Sequence, residues 1–253
     1  MTDSTGQFSK IEAQHLIKEK GSADAAFYLT MTLISAVIIF LGFAPSFYLK
    51  SVLQAPPPLT ILTLTHGVVF TAWVLLFVAQ TALIAVNKPL IHRQLGINAA
   101  ILFGGMISLG ISTAITAGRL GHAPPGAPAP LVFMALPLLT LLVALVLVAA
   151  ALMNRRRSDW HKRLMLASLF LMTGPAAGRL AIPIGFAAEA TWISIILAEL
   201  LLASALAYDF QRHKRIHPAY LFAACAYIAY HASVAWAFQS PNWLIFAKAI
   251  TQG

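Results

Sequence analysis

The feature that most constrains this chain is a series of seven apolar stretches, at about residues 25–47, 60–86, 95–118, 129–153, 162–184, 189–208 and 218–239. A helix that crosses a bilayer needs about 20 apolar residues, since each adds about 1.5 Å across roughly 30 Å of hydrocarbon. All seven stretches meet that length. Charged residues make up 10% of the chain and hydrophobic ones 59%, with a mean hydropathy of +0.79. Soluble domains carry about 25% charged residues, so lipid is the expected solvent for most of this surface. The expected fold class is all-α, a polytopic transmembrane helix bundle of about seven spans. It forms one domain over 25–240, with a polar segment before it (1–24) and a short tail after it (241–253).

A formal charge of +9 would suit a nucleic-acid partner, but the basic residues lie in short loops between apolar spans. There they act as topology signals and as contacts for anionic lipid headgroups, and no nucleic-acid partner is expected. With the N-terminus inside, the inner segments hold thirteen Lys and Arg residues, among them Lys88, Arg93, Arg155, Arg156, Arg157, Lys162, Arg163, Arg212, Lys214 and Arg215. The outer segments hold three, Lys50, Arg119 and Lys248, while Arg179 falls within span 5. That bias predicts a multi-pass protein of the cell (inner) membrane with its C-terminus outside. Cys225 is the sole cysteine, which excludes an intramolecular disulfide and a thiolate zinc cluster. The polar N-terminus has no apolar core, so the first span, rather than a cleaved signal peptide, is the expected insertion signal. Pro56, Pro57 and Pro58 are expected to break the chain before span 2, and Pro137, Pro175 and Pro183 to kink or break helices.

Polar groups are costly in hydrocarbon, so those retained there mark the interior. In span 2, His66, Trp73, Gln80 and Asn87 recur every seven residues and share one stripe. In span 3, Ser108, Ser112 and Thr116 step by four, a spacing of small residues that suits helix packing. Span 5 carries His161 and Arg179 on one side, span 6 carries Glu199, and span 7 carries Tyr220, Tyr227 and His231 on one face. Counted from the outer ends at about 1.5 Å per residue, His66 lies roughly 10 Å inside, His231 about 12 Å, Arg179 about 8–10 Å and Glu199 about 14 Å. This common depth predicts one shared polar pocket in the outer half, with Glu199 paired to Arg179. His92 and His161 fall at the inner interface. His213 and His217, spaced i, i+4 in HKRIH, read as part of a solvated basic loop.

The stretch THGVVFTAWVLLFVAQ (65–80), LIHRQLG (90–96), DWHKRLM (159–165) and the downstream Arg179 resembles a group of uncharacterised bacterial multi-spanning membrane proteins, a domain of unknown function. The matching positions are His66, Gln80, His92, Arg93, Gly96, His161 and Arg179, over about 120 residues of spans 2 to 5. That resemblance implies a helical bundle and no established activity. A looser resemblance is to membrane b-type cytochromes, which hold haem between histidines of neighbouring helices. It implies haem b with His66 and His231 as axial ligands, Arg179 at a propionate, and His92 with His161 as a second pair.

The best single expectation is therefore a haem-binding redox or electron-transfer protein. One alternative is a non-enzymatic transporter, or an assembly partner of a membrane complex or homo-oligomer, with Trp73, Gln80 and Ser112 lining a path or an interface. Another is a membrane-embedded hydrolase with zinc on His66, His231 and Glu199. The topology has a direct check. With Cys225 replaced by serine, a cysteine at Ala127 should react with an impermeant maleimide in intact cells. One at Arg156 should react only after permeabilisation.

Overall fold

The structure, a computed structural model, describes residues 4–53 and 58–252, with side chains from Ser22 onward. Among them there is no strand. Helix α1 (Ser4–Phe43) runs into a π-helical turn at Ala44–Tyr48, and α2 (Ile61–Ala85) and α3 (Pro89–Arg119) follow. Next come α4 (Pro130–Phe133) and α5 (Ala135–Met153), then α6 (Ser158–Ala181), which closes in a 3-10 turn at Ile182–Ile184. α7 (Ala190–His213), α8 (Pro218–Gln239) and α9 (Pro241–Gln252) complete the chain. Among the described residues seven units are long and apolar enough to cross a membrane, α4 and α5 together making one. The protein is an all-α, multi-pass membrane bundle. The tail expected after residue 240 is helical too, and α9 buries Trp243 and Ala247 against its neighbours.

Local chemistry sets the helix ends. Thr60 caps α2 by accepting the Thr63 N–H at 3.2 Å. Pro89, Pro130 and Pro218 stand in first turns, where a missing N–H costs nothing. Asn87 ends the span 2 stripe outside the helix: it is exposed, and its φ of 56° turns the chain towards α3. The three internal prolines differ in effect. Pro137 cannot donate to the carbonyl four residues back, and the helix is interrupted at Met134. Pro183 stands in the 3-10 turn that ends α6. Pro175 leaves α6 unbroken, and Tyr227 of α8 ties to the turns before it by donating to the Ala167 carbonyl at 2.8 Å. Pro56 and Pro57 lie outside the described residues.

α6 is the hub, with 72% of its apolar window buried against 22–44% in the other spans. Five helices close a ring in the order α6, α1, α2, α3, α5 and back to α6. Trp73, Phe103, Met106 and Met172 fill its middle. α7 packs on the outside of α6, and α8 lies over α5 and α6. Small residues let α6 approach its neighbours closely. A side chain at Gly42 of α1 would strike the Ala176 carbonyl of α6, and one at Gly178 would strike Ser194 and Ala190 of α7. Gly174 meets the Ser194 carbonyl in the same way, so Gly174 and Gly178 form a small-x-x-x-small contact facing α7. Gly42→Leu should therefore lower stability in detergent by about 1–3 kcal/mol or more. Gly104→Leu, at a position with nothing within 4 Å, should leave the thermal midpoint unchanged.

Candidate functional site

The basic residues of the loops define one end of the bundle, here the basic end, where α3 and α6 begin. His92 stands in the first turn of α3 and His161 in the first turn of α6. Their rings meet across the bundle with centroids 6.2 Å apart and planes at 79°. Nδ1 of His92 lies 3.3 Å from the Gln80 carbonyl, and Nδ1 of His161 lies 3.0 Å from the Ala151 carbonyl. A carbonyl can only accept, so the proton of each ring sits on Nδ1 and the lone pair on Nε2 is free. The side-chain Oε1 of Gln80 is buried beside this pair without a hydrogen-bond partner among the described residues. Gly96, one turn past His92, has no neighbour closer to a prospective side chain than Gln80 Nε2 at 3.8 Å.

The shared outer pocket expected from depth does not form as one site. Its four groups fall into two places on either side of α6. On the ring side, Arg179 lies over the Phe43 ring at 4.5 Å and donates to the Pro175 carbonyl at 3.1 Å. His66 is close enough for the Arg179 charge to act on it, and its buried Nδ1 has no hydrogen-bond partner among the described residues. On the other side, His231 of α8 approaches Glu199 of α7, Nε2 to Oε1, at 2.7 Å. Glu199 is thus paired with His231 and not with Arg179, because α6 turns Arg179 towards α1. Glu199 is also half exposed, at 49%, rather than interior. The crevice beside it, lined by Thr140, Ser194, Tyr230 and His231, holds about 20 Å³, room for a water and little else. His66 and His231 make no ring contact, and α2 and α8 share no substantial interface, so the geometry offers no single metal between them.

Trp73 is buried, at 2% exposure, as the stripe requires. Ser112 is not interior. It is exposed and donates to the Ser108 carbonyl at 3.0 Å, while Ser108 donates to Gly104 at 3.1 Å. A hydroxyl satisfied by its own helix can face lipid without an unpaired group. Among the described residues no group of three or more His, Cys, Asp or Glu side chains could hold a metal.

The largest polar network was not expected from the sequence. Arg163 of α6 and Asp209 of α7 are both buried. Nε of Arg163 donates to Asp209 Oδ1 at 3.0 Å, and its Nη2 reaches the same oxygen. The other carboxylate oxygen accepts the His217 backbone N–H at 2.7 Å, and His213 Nδ1 lies 3.2 Å from Oδ1. Asp24 of α1 joins Lys162 at 2.8 Å and accepts the Tyr208 hydroxyl at 3.0 Å. HKRIH is therefore anchored rather than freely solvated. Burial, helped by the Arg163 charge, holds His217 below its ordinary pKa, and the neutral ring caps α8 by accepting the Ala219 N–H at 3.1 Å. The available signal was the scarcity of acids: an aspartate within a basic segment of a chain with eight acidic residues has reason to be paired.

No family model, curated protein or solved structure matches this chain. The buried pair gives a stability test. Asp209→Ala leaves Arg163 uncompensated and should cost about 3–5 kcal/mol. Lys162→Ala breaks a partly exposed pair and should cost about 1 kcal/mol or less. Thermal unfolding in detergent separates the two.

Proposed function

We propose that this protein is a membrane redox protein carrying a b-type haem between the basic ends of α3 and α6, with His92 and His161 as axial ligands. The observation that carries the reading is the facing pair of imidazoles, each tied through Nδ1 to a backbone carbonyl. Two imidazoles on opposite sides of one metal, at about 2.0 Å per bond, have ring centres roughly 6 Å apart; the observed separation is 6.2 Å. Carbonyl-bound Nδ1 with free Nε2 is also the arrangement in which metal-ligating histidines are held.

The surroundings support a flat, anionic cofactor. Gly96 leaves the face of α3 one turn past His92 without a side chain, with only Gln80 Nε2 near it, which suits a macrocycle lying against the helix. Lys88 and Arg93 stand within a few residues of His92 and are suited to propionate carboxylates. Zinc is less well served. It takes three or four protein ligands, and no such group occurs among the described residues, whereas haem brings four nitrogens of its own. Bound haem would supply one-electron exchange. The chain's part is to fix the tautomer and orientation of both rings and to cover the cofactor with the apolar ring interior. The positive-inside bias puts this end at the cytoplasmic face of the inner membrane.

A reduced-minus-oxidised spectrum of the detergent-purified protein should show Soret and alpha bands. His92→Ala and His161→Ala should each abolish them, while His231→Ala and His213→Ala should keep them. A colourless wild-type protein, or bands that survive both His92→Ala and His161→Ala, would contradict the reading.

A further inference from the structure

Three features at the far end of the ring remain without a role. Arg179 is a guanidinium within a membrane span, with no carboxylate within 4 Å among the described residues. His66, within range of its charge, has a buried Nδ1 with no hydrogen-bond partner among the described residues. An apolar groove of about 280 Å³ opens between α3, α5 and α9, lined by Ile107, Ile111, Ile115, Leu141 and Phe246 among others.

Gly110 and Leu141 link the groove to the two polar groups. A side chain at Gly110 would begin 2.9 Å from Leu141 Cδ1 and 3.6 Å from His66 Cε1. Glycine thus makes room for the Leu141 side chain, and this one flexible side chain is what stands between the groove and His66. Depth agrees with this route. Arg179 is five residues from the end of the 3-10 turn and His66 five from the start of α2, about 8 Å below the far end. Ile115 to Ile107 cover depths of about 6–18 Å on α3. The polar groups are therefore level with the upper part of the groove, with Leu141 between it and His66, and the apolar length of the groove runs down towards the bilayer centre.

A lone cation in hydrocarbon is expensive without a counter-charge. We propose that His66 and Arg179 bind the anionic head of a single-chain amphiphile whose hydrocarbon tail lies in the α3–α5–α9 groove. A fatty-acid carboxylate is the smallest such ligand: the guanidinium supplies the opposite charge and a planar set of donors, and His66 Nδ1–H donates a further hydrogen bond. The site does not depend on the haem reading and lies at the opposite end of the ring from it.

The test is equilibrium binding of radiolabelled hexadecanoate to the full-length protein in detergent, beside its methyl ester and a lysophosphatidic acid with the same chain. Hexadecanoate should bind saturably at one per chain, with the neutral ester at least tenfold weaker. Arg179→Gln should weaken the acid at least tenfold and leave the ester unchanged. Ile111→Trp, a change on the lipid-facing wall that fills the groove, should weaken both. Tighter binding of the lysophosphatidic acid with the same Arg179 dependence would assign the head as a phosphate and the source as a lysolipid. Equal binding of acid and ester, no saturable binding of either anion, or wild-type acid affinity in Ile111→Trp would overturn the proposal. That last variant decides the matter even if Arg179→Gln does not fold.

Discussion

Hydrocarbon offers no water to a stray hydrogen-bonding group, and the architecture follows from that one constraint. Most polar side chains here are satisfied by their own helix, satisfied by a neighbouring helix, or brought to an end of the bundle. Ser108 and Ser112 take the first course and face lipid. Tyr227 takes the second, donating to the Ala167 carbonyl of α6. Most charged residues take the third. Arg163, Asp209, Asp24 and Lys162 gather where the basic loops begin, and their bonds tie α1, α6, α7 and the start of α8 together. Against that pattern, the unpartnered His66 Nδ1 and Gln80 Oε1, and an Arg179 guanidinium that meets a carbonyl and a ring but no carboxylate, point to something other than the fold.

The hub position of α6 links the packing to the sites. Its glycines admit α1 and α7 to close contact, and its two ends carry His161 and Arg179 on the face towards the ring interior. Because α3 and α6 stand across that ring rather than side by side, their histidines approach ring to ring with Nε2 uncommitted. The same placement separates Arg179 from Glu199, since the guanidinium turns to Phe43 and the carboxylate lies on the far side of the hub with His231.

Much of the fold was legible because hydrophobic length is a one-dimensional property. Seven spans, their approximate limits and the interior face bearing Trp73 could be read from spacing alone. The sites were less legible because depth along a helix axis carries no information about direction around the bundle. His66, Arg179, Glu199 and His231 share a depth but not a side, and only the order of helices around α6 decides which of them meet. The inner histidines carried the weaker sequence signal, an interfacial position beside arginines, yet the short α2–α3 and α5–α6 turns bring each within reach of a preceding carbonyl. The Arg163–Asp209 pair was hidden for another reason: a basic loop reads as a topology signal, and that reading leaves unasked what lies beneath it.

The claim that His92 and His161 face one another across a cofactor is tested most directly by low-temperature electron paramagnetic resonance of the oxidised, detergent-purified protein. Imidazole planes 79° apart, if kept on a low-spin ferric haem, would leave its upper occupied orbitals close in energy and give a strongly anisotropic signal. That signal, absent from the His161→Ala protein, is the expected result. A high-spin haem signal, or protein free of haem iron, would contradict the assignment.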